Sequence, residues 1–181
     1  MSAGRKIRSK STDWCTPKKY VDAITDFFGG EICLDPCSNE FSIVNATNEY
    51  RLPENDGLKL DWNYKTIFVN PPYGRNFENG TSIKDWLKKC CDTYQMSNDC
   101  EIVALVPVAT NTSHWKNYVF GKAASICFLY DTRLKFLENG KECGKGAPMA
   151  CCLIYYGKRK NAFEKHFSKY GAIVHNIIKE E

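Results

Sequence analysis

Two prolines set between an asparagine and a tyrosine make Asn70-Pro71-Pro72-Tyr73 the most chemically informative stretch of the chain. The four residues before it, Thr66 to Val69, read as a buried strand. Neither proline has an N–H to donate, so the strand's ladder must end sharply there. The following ring also holds Asn70 in an extended conformation. The expected result is a rigid corner that turns the Asn70 side-chain oxygen, the Pro71 carbonyl and the Tyr73 ring towards one cavity. Two fixed acceptors match the two protons of a planar exocyclic amine. Held in that way, the nitrogen is drawn towards tetrahedral character and its lone pair is freed to attack an electrophilic carbon. Acceptors already in place reorganise little during reaction, and an aromatic face beside a nucleobase contributes about 1–3 kcal/mol of stacking.

A second polar stretch, Asp35-Pro36-Cys37-Ser38-Asn39, follows another short apolar run. A third, Asn55-Asp56-Gly57-Leu58, fits a plain Asp-Gly turn and fits a ligand contact equally well. Arg75 and Asn76 come directly after the corner, where either side chain can meet an anionic strand. His114 and Trp115 follow the strongest apolar run through the polar residues 110–113; for Trp115, core packing is the competing reading. Arg133 and Lys135 are candidates for phosphate contact, or belong to a solvated face.

The elements that must position these residues can be read from periodicity. Residues 18–28 carry apolar side chains at helical spacing, with Thr16 as the expected N-cap and Pro17 at the first helical position; Gly29-Gly30 stops the helix. Residues 31–34 and 66–69 read as strands and residues 82–95 as an amphipathic helix. Strands are expected at 101–108, 125–130, 149–156 and 172–178, and helices at 113–120 and 161–170. Residues 134–146 form a Gly-rich excursion. Alternating strands and helices predict an α/β sheet, mostly parallel, with helices on both faces. Strands lying close together in the final third predict an antiparallel hairpin at one edge. In such sheets ligands sit beyond the carboxyl ends of the strands, which is where residues 35–39 and 70–73 fall.

The 181 residues suit one domain, 13–181, preceded by an arm, 1–12, in which Arg5, Lys6, Arg8 and Lys10 stand without an acid. The net charge of +4 permits an anionic partner without demanding one. No apolar run is long enough to span a membrane, and the absence of a signal core points to an intracellular protein, in the cytoplasm or, in a eukaryotic host, the nucleus. Ten cysteines without a CxxC, and three scattered histidines, argue against a metal site and against a disulfide framework. Cys33, Cys127, Cys151 and Cys152 are expected as small core residues.

Taken in order, four stretches of the chain resemble the phage-type DNA N6-adenine methyltransferases. Asp13-Trp14-Cys15-Thr16-Pro17 is similar to the family's opening Trp/Tyr-x-Thr-Pro segment. Leu34-Asp35-Pro36-Cys37-Ser38 is similar to its Leu-Asp-x-Cys-Ala segment, and Asp56-Gly57-Leu58 with Asp61-Trp62 to the Asp-Gly-Leu…Trp segment ahead of the Asn-Pro-Pro-Tyr. Arg133-Leu134-Lys135-Phe136 followed by Gly146-Ala147-Pro148 is similar to its Arg-Leu-x-Phe…Ala-Pro segment. The resemblance covers residues 13 to about 156 and includes the lack of a Gly-rich loop after the first strand.

It implies a Rossmann-like fold, S-adenosylmethionine as methyl donor and DNA as partner, with an adenine flipped from the duplex. It also implies roles. Trp14, Thr16 and Pro17 would border the methionine end of the donor, and Asp35, Pro36, Cys37 and Ser38 would sit against it. Asp56 would bond the donor's adenine amine with Leu58 on its ring. Asn70, Pro71, Pro72 and Tyr73 would form the catalytic corner, with Asn70 also touching the donor. The tetrapeptide alone also occurs in enzymes that methylate RNA guanine or protein glutamine, and a catalytically silent DNA-binding relative is a further reading. The surrounding stretches favour DNA adenine.

Overall fold

The computed structural model describes residues 14–175 apart from 98, 132 and 143–145. The basic arm and Asp13 lie outside the described residues. A two-residue strand β1 (Trp14–Cys15) leads through Thr16 and Pro17 into helix α1 (Lys18–Phe27). β2 (Leu34–Asp35), β3 (Asn48–Glu49) and β4 (Thr66–Val69) follow, then α2 (Ile83–Met96) and β5 (Glu101–Pro107). α3 (Ser113–Tyr118), β6 (Ser125–Leu129), β7 (Leu137–Glu138) and β8 (Lys141–Glu142) come next. β9 (Cys151–Tyr156), α4 (Lys160–Phe167) and β10 (Gly171–His175) complete the described chain.

The main sheet has seven strands in the order β10-β6-β9-β5-β4-β2-β3. The β3, β2, β4 and β5 strands run parallel to one another. β9 is antiparallel to both β5 and β6, which gives β6 the direction of β5, and β10 is antiparallel to β6. Five strands therefore point their carboxyl ends at one edge, as the alternation of elements predicts. The antiparallel part is not the expected edge hairpin. All six residues of β9 are buried, so both of its faces need cover, and it lies inside the sheet between β5 and β6. The edge falls to β10, whose side chains alternate between cover and solvent. A continuous apolar run with no alternation was the available signal for this.

Two apolar layers flank the sheet. On one face α1 and α4 pack Tyr20, Ile24, Phe27, Phe163 and Phe167 against Phe68, Val103, Leu105, Leu153 and Tyr155. On the other, α2 and α3 pack Trp86, Leu87, Cys90 and Trp115 against Ile67, Val69, Ile102, Ala104 and Ile154. Alternate residues of β4, β5 and β9 feed the two layers, as the period of two in a strand requires. Cys127, Cys151 and Cys152 are buried there as expected, whereas Cys33 is half-buried. The amino end of β5 is tied to α4 by Arg159, whose Nε lies 2.9 Å from both Glu101 carboxylate oxygens and whose guanidinium covers the Phe27 ring.

Helix α2 is held at its start by a reciprocal cap, with the Asp85 carboxylate accepting from the Ser82 N–H at 2.8 Å. Asp85→Ala is expected to lower stability by about 1 kcal/mol, read as a drop in the denaturation midpoint at unchanged m-value; an unchanged midpoint would show that water replaces the carboxylate at no cost.

Candidate active site

The Asn70 corner stands at the carboxyl end of β4, between the ends of β2 and β5. Pro71 is buried and Pro72 exposed. The Asn70 Nδ2 donates to the Trp14 carbonyl at 3.3 Å, which fixes the orientation of its amide. The Tyr73 hydroxyl lies 3.1 Å from Asn70 Oδ1 and 3.1 Å from the Leu105 carbonyl oxygen. That hydroxyl has one proton, so it satisfies one acceptor at a time. The expected free Asn70 oxygen is thus shared with Tyr73, and a turn of the hydroxyl towards Leu105 releases it. The Tyr73 ring is half-buried, with Phe136 edge-on at 5.7 Å between centroids; burial of its hydroxyl holds the Tyr73 pKa well above the ordinary range.

Other stretches converge on this corner. β1 pairs antiparallel with β7, and Trp14 stacks on Phe136 at 5.3 Å and 14°. The Ala147 N–H donates to the Leu134 carbonyl at 2.7 Å, and a Cβ on Gly146 would stand 2.3 Å from Arg133 Cβ. The 133–136 segment and the Gly-Ala-Pro stretch are therefore packed together, and both reach the corner through Phe136. The Cys15 thiol donates to Asn39 Oδ1 at 3.4 Å, joining the 14–17 segment to the loop after β2. That loop meets the corner where the Asn70 N–H approaches the Cys37 thiol, whose pKa burial raises well above its usual range. Gly57 packs against the same loop, since a Cβ there would stand 2.0 Å from the Pro36 carbonyl oxygen. Residues far apart in sequence thus line one place at the carboxyl ends of β2 and β4.

Two buried polar groups lie in this place, one of them without a partner. Thr16 is not the helix N-cap: α1 begins at Lys18 with Pro17 in the cap position, because the Pro17 ring leaves Thr16 in the extended segment. Its Oγ1 is buried without a hydrogen-bond partner, an arrangement that costs about 1–3 kcal/mol unless a ligand supplies the partner. Asp35 is 4% exposed, and burial pushes its carboxyl up to about 7. Nearby Glu49 adds to the rise, and the Cys37 N–H at 3.0 Å, Arg51 and Ser42 oppose it. A buried acid with this pKa favours a cationic or hydroxyl-bearing ligand.

Its ionisation sets a pH dependence. The folded protein binds this proton more tightly than the unfolded chain does, with its usual pKa of 3.8. The stability linked to Asp35 is therefore complete below the unfolded value and lost as pH rises through about 7. A ligand that donates to the ionised carboxylate should restore it. With S-adenosylmethionine, the ligand that the sequence resemblance implies, the thermal shift at saturation is expected to be larger at pH 7.5 than at pH 6; equal shifts would show that Asp35 makes no such contact.

The remaining sequence candidates fall in different places. Asp56 Oδ1 accepts the Leu58 N–H at 3.0 Å and its other oxygen pairs with Lys59 at 3.1 Å, the plain turn arrangement. Ser38 is buried, with its Oγ 3.5 Å from the Asn39 carbonyl. Asn76 is a turn residue whose Oδ1 accepts from the Glu78 and Asn79 N–H groups at 3.0 and 3.1 Å, an arrangement that uses the oxygen and not the amide N–H groups that would donate to a phosphate. Arg75 is exposed. His114 lies 3.2 Å from Thr112 Oγ1, with its pKa lowered by burial and then by Lys84. Trp115 has no exposed surface and fills the second core layer, which favours the competing reading of core packing. Arg133 and Lys135 are exposed between the buried Leu134 and Phe136. Sequence reasoning missed Phe136, Asn39 and Gly57 as parts of the site; only the aromatic at 136 and the Asp-Gly pair signalled them. Among the described residues no cluster of His, Cys, Asp or Glu is placed to hold a metal ion, and no helix is long and apolar enough to cross a membrane.

The fold and site define a mixed α/β protein with an Asn-Pro-Pro-Tyr corner at the carboxyl ends of its parallel strands. Residues 5–155 match the family DNA N-6-adenine-methyltransferase (Dam), and the chain belongs to that family. No curated protein and no solved structure matches it. The activity that goes with this family is methylation of DNA adenine at N6.

Proposed function

We propose that the chain is an S-adenosylmethionine-dependent enzyme with a Rossmann-like fold that methylates the exocyclic amine of an adenine turned out of DNA. The observation that carries the reading is the Asn70 corner, braced by Trp14 and Tyr73, beside two buried polar groups that call for a ligand. When bound, the donor supplies an electrophilic methyl group on a sulfonium. Thr16 and Asp35 suit its methionine end: the unpartnered hydroxyl gains a bond, and the carboxylate, ionised above about 7, accepts from an ammonium. Trp14, Pro17, Pro36, Cys37 and Ser38 wall this place, and Asp56 and Leu58 border the donor's adenine.

At the corner, Asn70 Oδ1 and the Pro71 carbonyl accept the two protons of the substrate amine. The Tyr73 hydroxyl passes from Asn70 to Leu105 as the amine arrives, so that neither acceptor is left bare. Attack then proceeds from a nitrogen whose position is fixed; such positioning removes several kcal/mol of barrier, of the order known for well-oriented reactants. The product ammonium is acidic and loses its proton to water, so no side chain need act as a base. Opening the base pair costs a few kcal/mol.

The test is incubation of unmethylated plasmid DNA, total RNA and a mixed protein extract, each separately with the protein and labelled donor, followed by digestion to nucleosides or amino acids. Label is expected in N6-methyladenine. Label in RNA or in protein glutamine, with DNA unlabelled, would overturn the substrate, and failure to bind the donor would overturn the chemistry.

A further inference from the structure

The catalytic corner is followed by a short loop that ends at the cap of α2, and the loop carries a phenylalanine set out in solvent beside an arginine. Phe77 is 85% exposed, and the Arg75 guanidinium lies 5.8 Å from its ring centroid. The loop is held in shape by Asn76, whose N–H donates to the Thr81 carbonyl at 2.8 Å while its side chain accepts from Glu78 and Asn79. These bonds leave Phe77 standing at the tip.

Its position in the fold gives the exposure meaning. Among the described residues, six large apolar side chains are exposed. Three of them, Leu52, Phe77 and Tyr130, at 64%, 85% and 67%, lie beyond the carboxyl ends of β3, β4 and β6. That is the edge on which Asn70 stands. Phe77 is the nearest of the three in sequence, four residues beyond Tyr73, so the chain cannot carry it further than about 14 Å away. With bases rising about 3.4 Å per step along a strand, it stays within a few base pairs of any adenine held at the corner. A cation and an aromatic face on one tip suit a partner that is at once anionic and flat-faced.

The geometry points to Phe77 as the side chain that enters duplex DNA beside the target adenine, taking up the stacking that the extruded base gives up, with Arg75 on an adjacent phosphate. The inference rests on the proposed activity and adds to it the element that makes extrusion favourable. Without such a wedge the unstacked neighbours would close over the gap. A purely electrostatic loop would not need the ring.

The test starts from wild-type protein, with the methylated site mapped on plasmid DNA. Two oligonucleotide duplexes then carry that site, one with the target adenine paired and one with it opposite an abasic position, where it is already unpaired. Phe77→Ala is expected to lower methylation of the paired duplex at least ten-fold and that of the unpaired duplex less than three-fold. Phe77→Trp should restore most of the loss, with donor affinity unchanged in both variants. Arg75→Ala should weaken binding of both duplexes alike and reduce the salt dependence. Equal loss on both duplexes, or no loss on either, would overturn the role given to Phe77. If the wild-type protein leaves no N6-methyladenine in DNA, the proposed activity itself fails, which is a separate result.

Discussion

Asn70→Ala is expected to reduce methyl transfer to DNA by about 10²–10³-fold, the range seen when one fixed hydrogen-bonding group is taken from a reacting centre. In the proposed reaction the substitution removes the oxygen that accepts one amine proton and leaves the Pro71 carbonyl to hold the other alone. The amine then keeps its planar form and its lone pair stays in the ring. Little else should change. Asn70 is half-buried; its amide makes a long bond to the Trp14 carbonyl at 3.3 Å and accepts from the Tyr73 hydroxyl, which has the Leu105 carbonyl as a second acceptor, so stability should fall by about 1 kcal/mol or less. Donor binding should weaken by less than ten-fold, because Asn70 reaches the 14–17 segment through the single long bond to the Trp14 carbonyl. Single-turnover methylation of plasmid DNA, together with calorimetric titration of the donor, separates the two effects. A variant that keeps a rate within five-fold of wild type would falsify the role given to the corner. Tyr73→Phe is the informative companion: it keeps the ring and frees the Asn70 oxygen, so its loss should be much smaller.

Gly57→Ala is expected to be the most damaging change that touches no reacting atom. The added Cβ would stand 2.0 Å from the Pro36 carbonyl oxygen and 3.0 Å from its carbon. Both are backbone atoms, so no rotamer change relieves the clash. Retreat on the other side is blocked as well. The Trp62 indole donates to the Gly57 carbonyl at 2.8 Å, and Lys89 Nζ holds the Leu58 and Leu60 carbonyls at 2.9 and 2.6 Å. The two loops must therefore separate by forcing Pro36 outwards, which moves Asp35 and Cys37 with it. A stability loss of about 1–3 kcal/mol follows from overpacking of this kind, and donor affinity should fall about ten- to a hundred-fold with it, roughly 1.4 kcal/mol for each factor of ten. Thermal unfolding with and without donor checks both numbers. An intact donor-induced shift would show that the contact between the two loops is not part of the binding place.

These two residues also mark where sequence reasoning reached and where it stopped. Asn70 was legible because its chemistry is local. Two prolines after an apolar strand dictate a stiff corner, and an amide and a carbonyl side by side dictate what it can hold. The main elements were legible for the same reason: the periodicity of α1 and α2, the apolar runs of β4 and β5 and the paired glycines after α1 all act over a few residues. Gly57 was not legible. Its Asp-Gly pair announces a turn, and the structure does contain that turn, with Asp56 bonded to Leu58. That the glycine also lies flat against Pro36 depends on how two loops meet.

The limits of the other readings follow from the same distinction. Thr16 has the chemistry of a helix cap, but Pro17 displaced the helix start by one residue and left the hydroxyl buried and unpaired. Trp115 offered two readings, DNA contact and core packing, and only the tertiary structure shows the ring enclosed in the second core layer. The run at β9 announces a strand, but its place between β5 and β6 depends on which faces remain uncovered once the helices have packed. Sequence by itself determined most of the elements, the family and the stiff Asn-Pro-Pro-Tyr corner after β4, because those are written in residue types at short spacing. Tertiary structure alone decided which distant segments surround that corner, which polar groups are left without partners and which aromatic rings face solvent. Those outcomes come from competition for burial over the whole chain, and no short stretch holds the information to settle them.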